Sequence, residues 1–182
     1  MGNVIQGKVN SCYLLGSLLA IAQSKERIQK IFPQKSISSD GIYKVQFMIN
    51  GEETSVIVDD LFPVKDDKFL YCQVDEISKL WVPLIEKAWA KSHSGYSNIE
   101  YGRSSECLRD LTGAPAFEYE TTDPDIIEHI QYAYIENFVM TTHSDSSIDN
   151  YDKKEIAAKY GIRSDHCYAL MNLINYDSDE MI

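Results

Sequence analysis

The stretch from residue 11 to residue 23 limits the fold more than any other part of this chain. Its Cys12, Tyr13, Leu14, Leu15, Leu18, Leu19, Ala20, Ile21 and Ala22 are apolar almost all the way round a helix. A helix with one apolar stripe can rest on a core and keep a face in water. A helix apolar on nearly every side has to be enclosed by other elements. The rest of the chain is therefore expected to wrap around this helix. Asn10 or Ser11 can cap its start, and Gly16 and Ser17 let another backbone approach closely.

The same helix carries chemistry in its first turn. A helix start favours negative charge, so Cys12 placed there is favoured as thiolate over thiol. Six residues earlier stands Gln6, whose side-chain amide can donate a hydrogen bond to an oxyanion. Taken singly, such a cysteine is ordinarily a small buried hydrophobe and such a glutamine a surface residue. Taken together, they ask for a histidine from much later in the chain. His93 follows a lysine-rich helix, His129 lies beside Glu128 within a helix, and His143 precedes a polar loop; all three read as solvated. His166 opens the strand-like run Cys167-Tyr168-Ala169-Leu170-Met171. A strand mouth would hold it firmly and leave it open to a cleft, although a satisfied core histidine fits the same position.

Composition narrows the functional classes. The chain has 182 residues, 44% hydrophobic and 25% charged, enough for one globular domain or two small lobes sharing a cleft. A net charge of −11 argues against nucleic acid and against an anionic membrane surface, both of which require a basic face. No apolar run approaches the roughly 18 residues that would span a bilayer, and the start lacks the basic flank and apolar core of a targeting peptide. Cys12, Cys72, Cys107 and Cys167 read as free thiols of a reducing cytoplasm, and none forms a CxxC pair that would suggest zinc.

A short helix is expected over 25–31, ending before Pro33. Strands at 43–49 and 54–58 flank Asn50-Gly51, a type I′ hairpin signal. An amphipathic helix over 79–92 ends near Gly95, and a further helical piece covers 104–111. Thr112-Gly113-Ala114-Pro115 breaks the pattern and is read as a lobe boundary, dividing the chain into 1–112 and 113–182. Asp123-Pro124 should open a helix through Tyr134. A strand over 137–142, a polar loop over 144–152, a weak helix over 153–160 and a strand over 166–173 follow. The acids Asp145, Asp149, Asp152, Asp177, Asp179 and Glu180 read as solvated.

Several segments, taken in order, resemble the catalytic core of the calpain family of cysteine proteases. Gln6-Gly7 with Cys12-Tyr13-Leu14-Leu15 is similar to the family's QGxxxxCxLL nucleophile motif. Val58-Asp59-Asp60-Leu61-Phe62-Pro63 resembles its VDDxxP strand end. Trp81, then Leu84-Ile85-Glu86-Lys87-Ala88-Trp89-Ala90-Lys91 and Gly95-Tyr96, resemble its W-x-x-L-[LI]-E-K-A-[YW]-A-K…GSY helix. Asp110-Leu111-Thr112-Gly113 is similar to its DLTG turn. Gly161-Ile162 with His166-Cys167-Tyr168-Ala169-Leu170 is similar to its G-[LI]…H-A-Y-S-[VL] strand.

The resemblance implies an α+β, papain-like core of two lobes, helical in the first and β-rich in a second that is incomplete here. It makes Cys12 the nucleophile, Gln6 the oxyanion donor and His166 the general base. It implies protein substrates lying extended across a cleft, flanking regulatory domains, and activation by calcium. Glu106 matches a calcium position of the family, whose companion aspartate is replaced by Asn3. Four departures stand out. Asn10-Ser11 replaces Gly-Asp, Tyr13 replaces tryptophan, and Ala114 replaces a second glycine, where it would crowd substrate if that position takes positive φ. No Asn-Pro-Trp-Gly motif follows His166, and Asn172 and Asn175 lie too close to it to take that role. The expected function is a calcium-dependent endopeptidase acting on intracellular proteins through a Cys/His acyl-enzyme. The alternative is a catalytically inactive module that binds protein partners. A transglutaminase-type acyl transferase is opposed by the LEKAWAK and DLTG segments.

Overall fold

Helix α1 (Cys12–Ile21) is enclosed, as its composition requires: eight of its ten residues are buried. Helices α2 (Lys25–Ile31), α3 (Trp81–Ser92) and α4 (Ser104–Thr112) pack on it, together with strands β7 (Met140–Ser144) and β8 (His166–Leu170). The computed structural model describes residues 4–76, 80–144, 155 and 159–174. Asn3, Asn175, the acidic groups at 145–152 and 177–180, and most of the expected 153–160 helix lie outside these residues.

Strands β2 (Ile42–Ile49) and β3 (Glu52–Asp59) form the longest ladder, antiparallel from Ile42↔Asp59 to Ile49↔Glu52. The turn is the one its sequence calls for, with Asn50 at φ 54° and Gly51 at φ 81°, both left-handed as a type I′ turn demands. Alternation then decides the faces. Tyr43, Val45, Phe47, Val56 and Val58 point into the core, where the Phe47 ring meets Trp89 of α3 edge-on at 5.4 Å. Two sequence motifs meet on this surface: Lys87 of α3 reaches Asp59 at the end of β3, with Nζ 2.6 Å from Oδ1, and donates to the carbonyls of Asp59 and Leu61. Beside that pair, Ile57, Asp59, Lys87, Lys91 and Tyr96 help line a groove of about 420 Å³.

Later elements start where local hydrogen bonds allow. Helix α5 (Ile126–Ile135) begins two residues after Pro124, not at it. Asp123 accepts the Asp125 N–H on its carboxylate at 2.9 Å and the Ile126 N–H on its carbonyl at 3.1 Å, so a turn precedes the helix. At the far end Asn137 adopts φ 56° and the Phe138 N–H returns to the Ala133 carbonyl. That left-handed cap delays β7 to Met140. None of the α5 side chains is buried. The antiparallel β7–β8 ladder runs from Met140↔Leu170 to Ser144↔His166 and ends short of the expected residue 173. Two miniature ladders went unforeseen: β1 (Val4–Ile5) with β6 (Gln73–Val74), and β4 (Val64–Lys65) with β5 (Lys68–Phe69). Two-residue strands are too short to display a period.

Candidate active site

The loop that leads into α1 is shaped by close packing. A Cβ at Gly7 would stand 2.0 Å from the Tyr71 carbonyl oxygen, so only glycine fits. The Lys8 N–H bonds the Leu70 carbonyl and holds the loop against that segment. Cys12 then takes the first helical position and is half-buried. Neither Asn10 nor Ser11 caps the helix with its side chain. The Ser11 hydroxyl is drawn instead to Glu86 Oε1, and its carbonyl receives the N–H groups of Leu14 and Leu15. Among the described residues no group accepts the Cys12 N–H. That donor is left facing whatever lies at the helix start.

Gln6 lies beside this turn. Its Nε2 donates to the Val9 carbonyl at 3.2 Å and to Asn10 Oδ1 at 3.4 Å. His166 is the first residue of β8, half-buried, with its ring edge-on to Tyr168 at 5.0 Å. Its backbone N–H bonds the Ser144 hydroxyl across the ladder. Burial, then the charge of Arg163, then His143, hold its pKa below the ordinary 6.5, so its surroundings favour the neutral ring.

Helix and strand meet through a cysteine. Cys167 Sγ fills the space where a side chain at Gly16 would be, 2.8 Å from the position of that missing Cβ. Gly16 follows Cys12 by one turn on the same helix face. The strand that begins at His166 is thus seated on the face of α1 that bears Cys12. No hydrogen bond joins Cys12 to the His166 ring among the described residues. Catalytic contacts in free enzymes are often long and close only around substrate. The remaining thiols, Cys72, Cys107 and Cys167, are buried, and burial raises the pKa of each.

Glu106 stands exposed in the first turn of α4. Calcium takes about six to eight oxygen ligands. Among the described residues no three His, Cys, Asp or Glu side chains gather where they could hold an ion, so Glu106 does not by itself supply such a site. No helix of the described residues is long and apolar enough to cross a membrane.

The family described as calpain family cysteine protease matches residues 1–182. The chain belongs to the calpain family. It is 28% identical to the calpain-type cysteine protease DEK1 of Zea mays over 99% of its own length, covering 8% of that protein. Against the calpain-2 catalytic subunit of Gallus gallus it is 31% identical over 72% of its length and 19% of the relative's, and against that of Rattus norvegicus 30% identical over 83% and 23%. It therefore spans less than a quarter of each of these relatives.

Several departures from calpain motifs now have physical readings. Ala114 does not adopt positive φ, so the condition under which it would crowd substrate is not met. Tyr13, in place of tryptophan, accepts a hydrogen bond from Trp89 Nε1 at 3.1 Å and donates to the Ile99 carbonyl at 3.2 Å. Its buried hydroxyl is satisfied on both sides. Sequence reasoning missed two participants. Glu86 is fully buried between Ser11 and the Cys72 N–H, and Asn10 bridges Gln6 to the segment around Tyr101. The signal for Glu86 was its place inside an otherwise apolar helix face; Asn10 gave none beyond its departure from the motif.

Proposed function

We propose that this region is the catalytic core of a papain-like cysteine endopeptidase. The observation that carries the reading is the seating of the His166 strand on the helix face that begins with Cys12, with Gln6 at the same turn. His166, favoured in its neutral form, takes the Cys12 proton as the sulfur adds to a peptide carbonyl carbon. The oxyanion so formed receives the Cys12 N–H and a Gln6 amide hydrogen. The imidazolium gives its proton to the amine nitrogen as the C–N bond breaks. Water, deprotonated by His166, then releases the acyl group as a carboxylic acid and restores the thiol. The substrates are proteins presented as extended chains.

Cleavage of casein by the full-length protein and its Cys12→Ala variant tests this. Activity in the parent and none in the variant is expected; undiminished cleavage by the variant would sink it. Calcium dependence enters on the family resemblance alone, and loss of cleavage in a chelator is its check.

A second reading keeps the fold and drops the chemistry. Both Gln6 amide hydrogens are engaged within the protein and Cys12 is not hydrogen-bonded to His166. A binding module would show these features, together with no cleavage by the parent protein.

A further inference from the structure

We infer that Asn10 is the residue that positions the Gln6 amide and holds its second hydrogen until substrate displaces it. The inference rests on the protease reading and deepens it. The neighbours of both amides fix their orientation. Val9 offers Gln6 a carbonyl oxygen and Glu100 offers Asn10 a carboxylate, and both can only accept. Gln6 Nε2 must therefore donate toward Val9, and Asn10 Nδ2 toward Glu100. That leaves Asn10 Oδ1 facing the other Gln6 hydrogen, at 3.4 Å.

Asn10 itself is held from three sides. Its Nδ2 donates to Glu100 Oε1 at 3.1 Å and to the Tyr101 hydroxyl at 2.9 Å, and its carbonyl accepts the Tyr101 N–H at 3.0 Å. The partner segment is anchored in turn. Tyr13, next to the nucleophile, donates to the Ile99 carbonyl, and its ring lies where a side chain at Gly102 would be, 2.6 Å from the missing Cβ. Tyr101 reaches Asn10 from a left-handed backbone, φ 61°. A glycine, the family's residue at position 10, could supply neither the acceptor to Gln6 nor the donor to Glu100.

The two bonds on Gln6 are unequal. The bond to Val9 is the shorter, and the one to Asn10 lies at the weak end of the hydrogen-bond range. An oxyanion is a charged acceptor and wins a neutral amide's hydrogen from another neutral amide. Asn10 Oδ1 thus keeps the donor aimed while the site is empty and yields it as charge develops on the substrate. Without Asn10, Gln6 is tethered at Val9 alone and must be oriented anew at each turnover.

The test uses the full-length protein with Asn10→Ala, Gln6→Ala and the double variant. Removing an oxyanion donor lowers kcat by about a hundredfold or more. Loss of positioning alone should cost about tenfold in kcat, with KM within about twofold. In the Gln6→Ala background, Asn10→Ala should cost nothing further. An additive loss would make Asn10 a general structural residue and overturn the inference.

A second readout does not depend on turnover. In 15N spectra the Gln6 side-chain protons, assigned by their loss in Gln6→Ala, should collapse toward solvent-exposed positions in Asn10→Ala. They should shift in the same direction, by less, in the surface variant Tyr101→Phe. Unmoved Gln6 resonances overturn the inference even if the parent cleaves casein. Moved resonances with no cleavage by the parent would uphold the positioning and sink only the protease reading.

Discussion

The Ser11 hydroxyl donates to Oε1 of Glu86 at 2.7 Å inside the core, so the residue before the proposed nucleophile is tied to a carboxyl in the middle of α3. Oε2 of the same carboxyl receives the Cys72 N–H at 2.8 Å. One buried group thereby joins the start of α1 to α3 and to the 70–74 segment. Burial outweighs both hydrogen bonds and raises the Glu86 pKa above its ordinary 4.5.

That raised pKa fixes a sign. The folded protein holds the Glu86 proton more tightly than the unfolded chain does. Its contribution to stability is full below pH 4.5 and is lost as pH rises through the folded value. Glu86→Gln keeps the shape and can accept from Cys72 while donating to the Ser11 oxygen, but it does not titrate. Its stability relative to the parent should therefore improve from pH 4.5 to pH 7, as read by urea unfolding at several pH values. A gap that stays flat would refute the assignment. Glu86→Ala leaves two buried donors without a partner and should cost about 1–3 kcal/mol for each.

Gly16 and Cys167 make a coupled pair. An alanine inside a helix is ordinarily better than a glycine by about 1 kcal/mol. Here the added methyl would press on Cys167 Sγ and on its carbonyl oxygen, 3.3 Å away. Overpacking should win, with Gly16→Ala destabilising by about 1–3 kcal/mol. Cys167→Ala removes the nearer obstacle, so in that background the same change should cost less by about 1 kcal/mol or more. Equal costs in both backgrounds, measured by denaturant unfolding, would show that the strand does not rest on the helix at this point.

His166 offers a direct titration. Burial and the charges of Arg163 and His143 place its midpoint below 6.5. A histidine depressed in this way stabilises the fold fully above pH 6.5, and the contribution is lost as pH falls through the folded midpoint. Its ring protons, followed by NMR in the substrate-free protein, should give that low midpoint. A value above 6.5 would mean instead that a Cys12 thiolate already pairs with an imidazolium before substrate arrives.

Much of the fold is legible in the sequence wherever one physical rule dominates. The enclosed α1, the Asn50-Gly51 hairpin and the end of α4 at Gly113, φ 72°, follow from apolar circumference, turn geometry and a left-handed cap. Boundaries slipped at both ends of α5, where the Asp123 carboxylate takes a backbone N–H before the helix and Asn137 adopts a left-handed backbone after it. Cys12, Gln6 and His166 were legible as residues because motif spacing marked them. Their geometry was not legible. Nothing in a string of letters says that Cys167 fills a notch at Gly16, or that the hydroxyl expected to cap α1 turns to Glu86. Such contacts join positions about 75 to 150 residues apart, beyond the reach of local patterns.

The ladder that carries His166 consists of β7 and β8 alone among the described residues, five residues each, and it leans on α1. Two-stranded ribbons hold together weakly without a surface beneath them. The β2–β3 hairpin and helices α1 to α4 contribute to a core cluster that includes no side chain of β7 or β8. Fraying of β8 would carry the proposed base away from the sulfur and leave the rest of the core intact. On warming, the ability to turn over substrate should fade before the protein melts, so a melting temperature overstates the range in which this site is assembled.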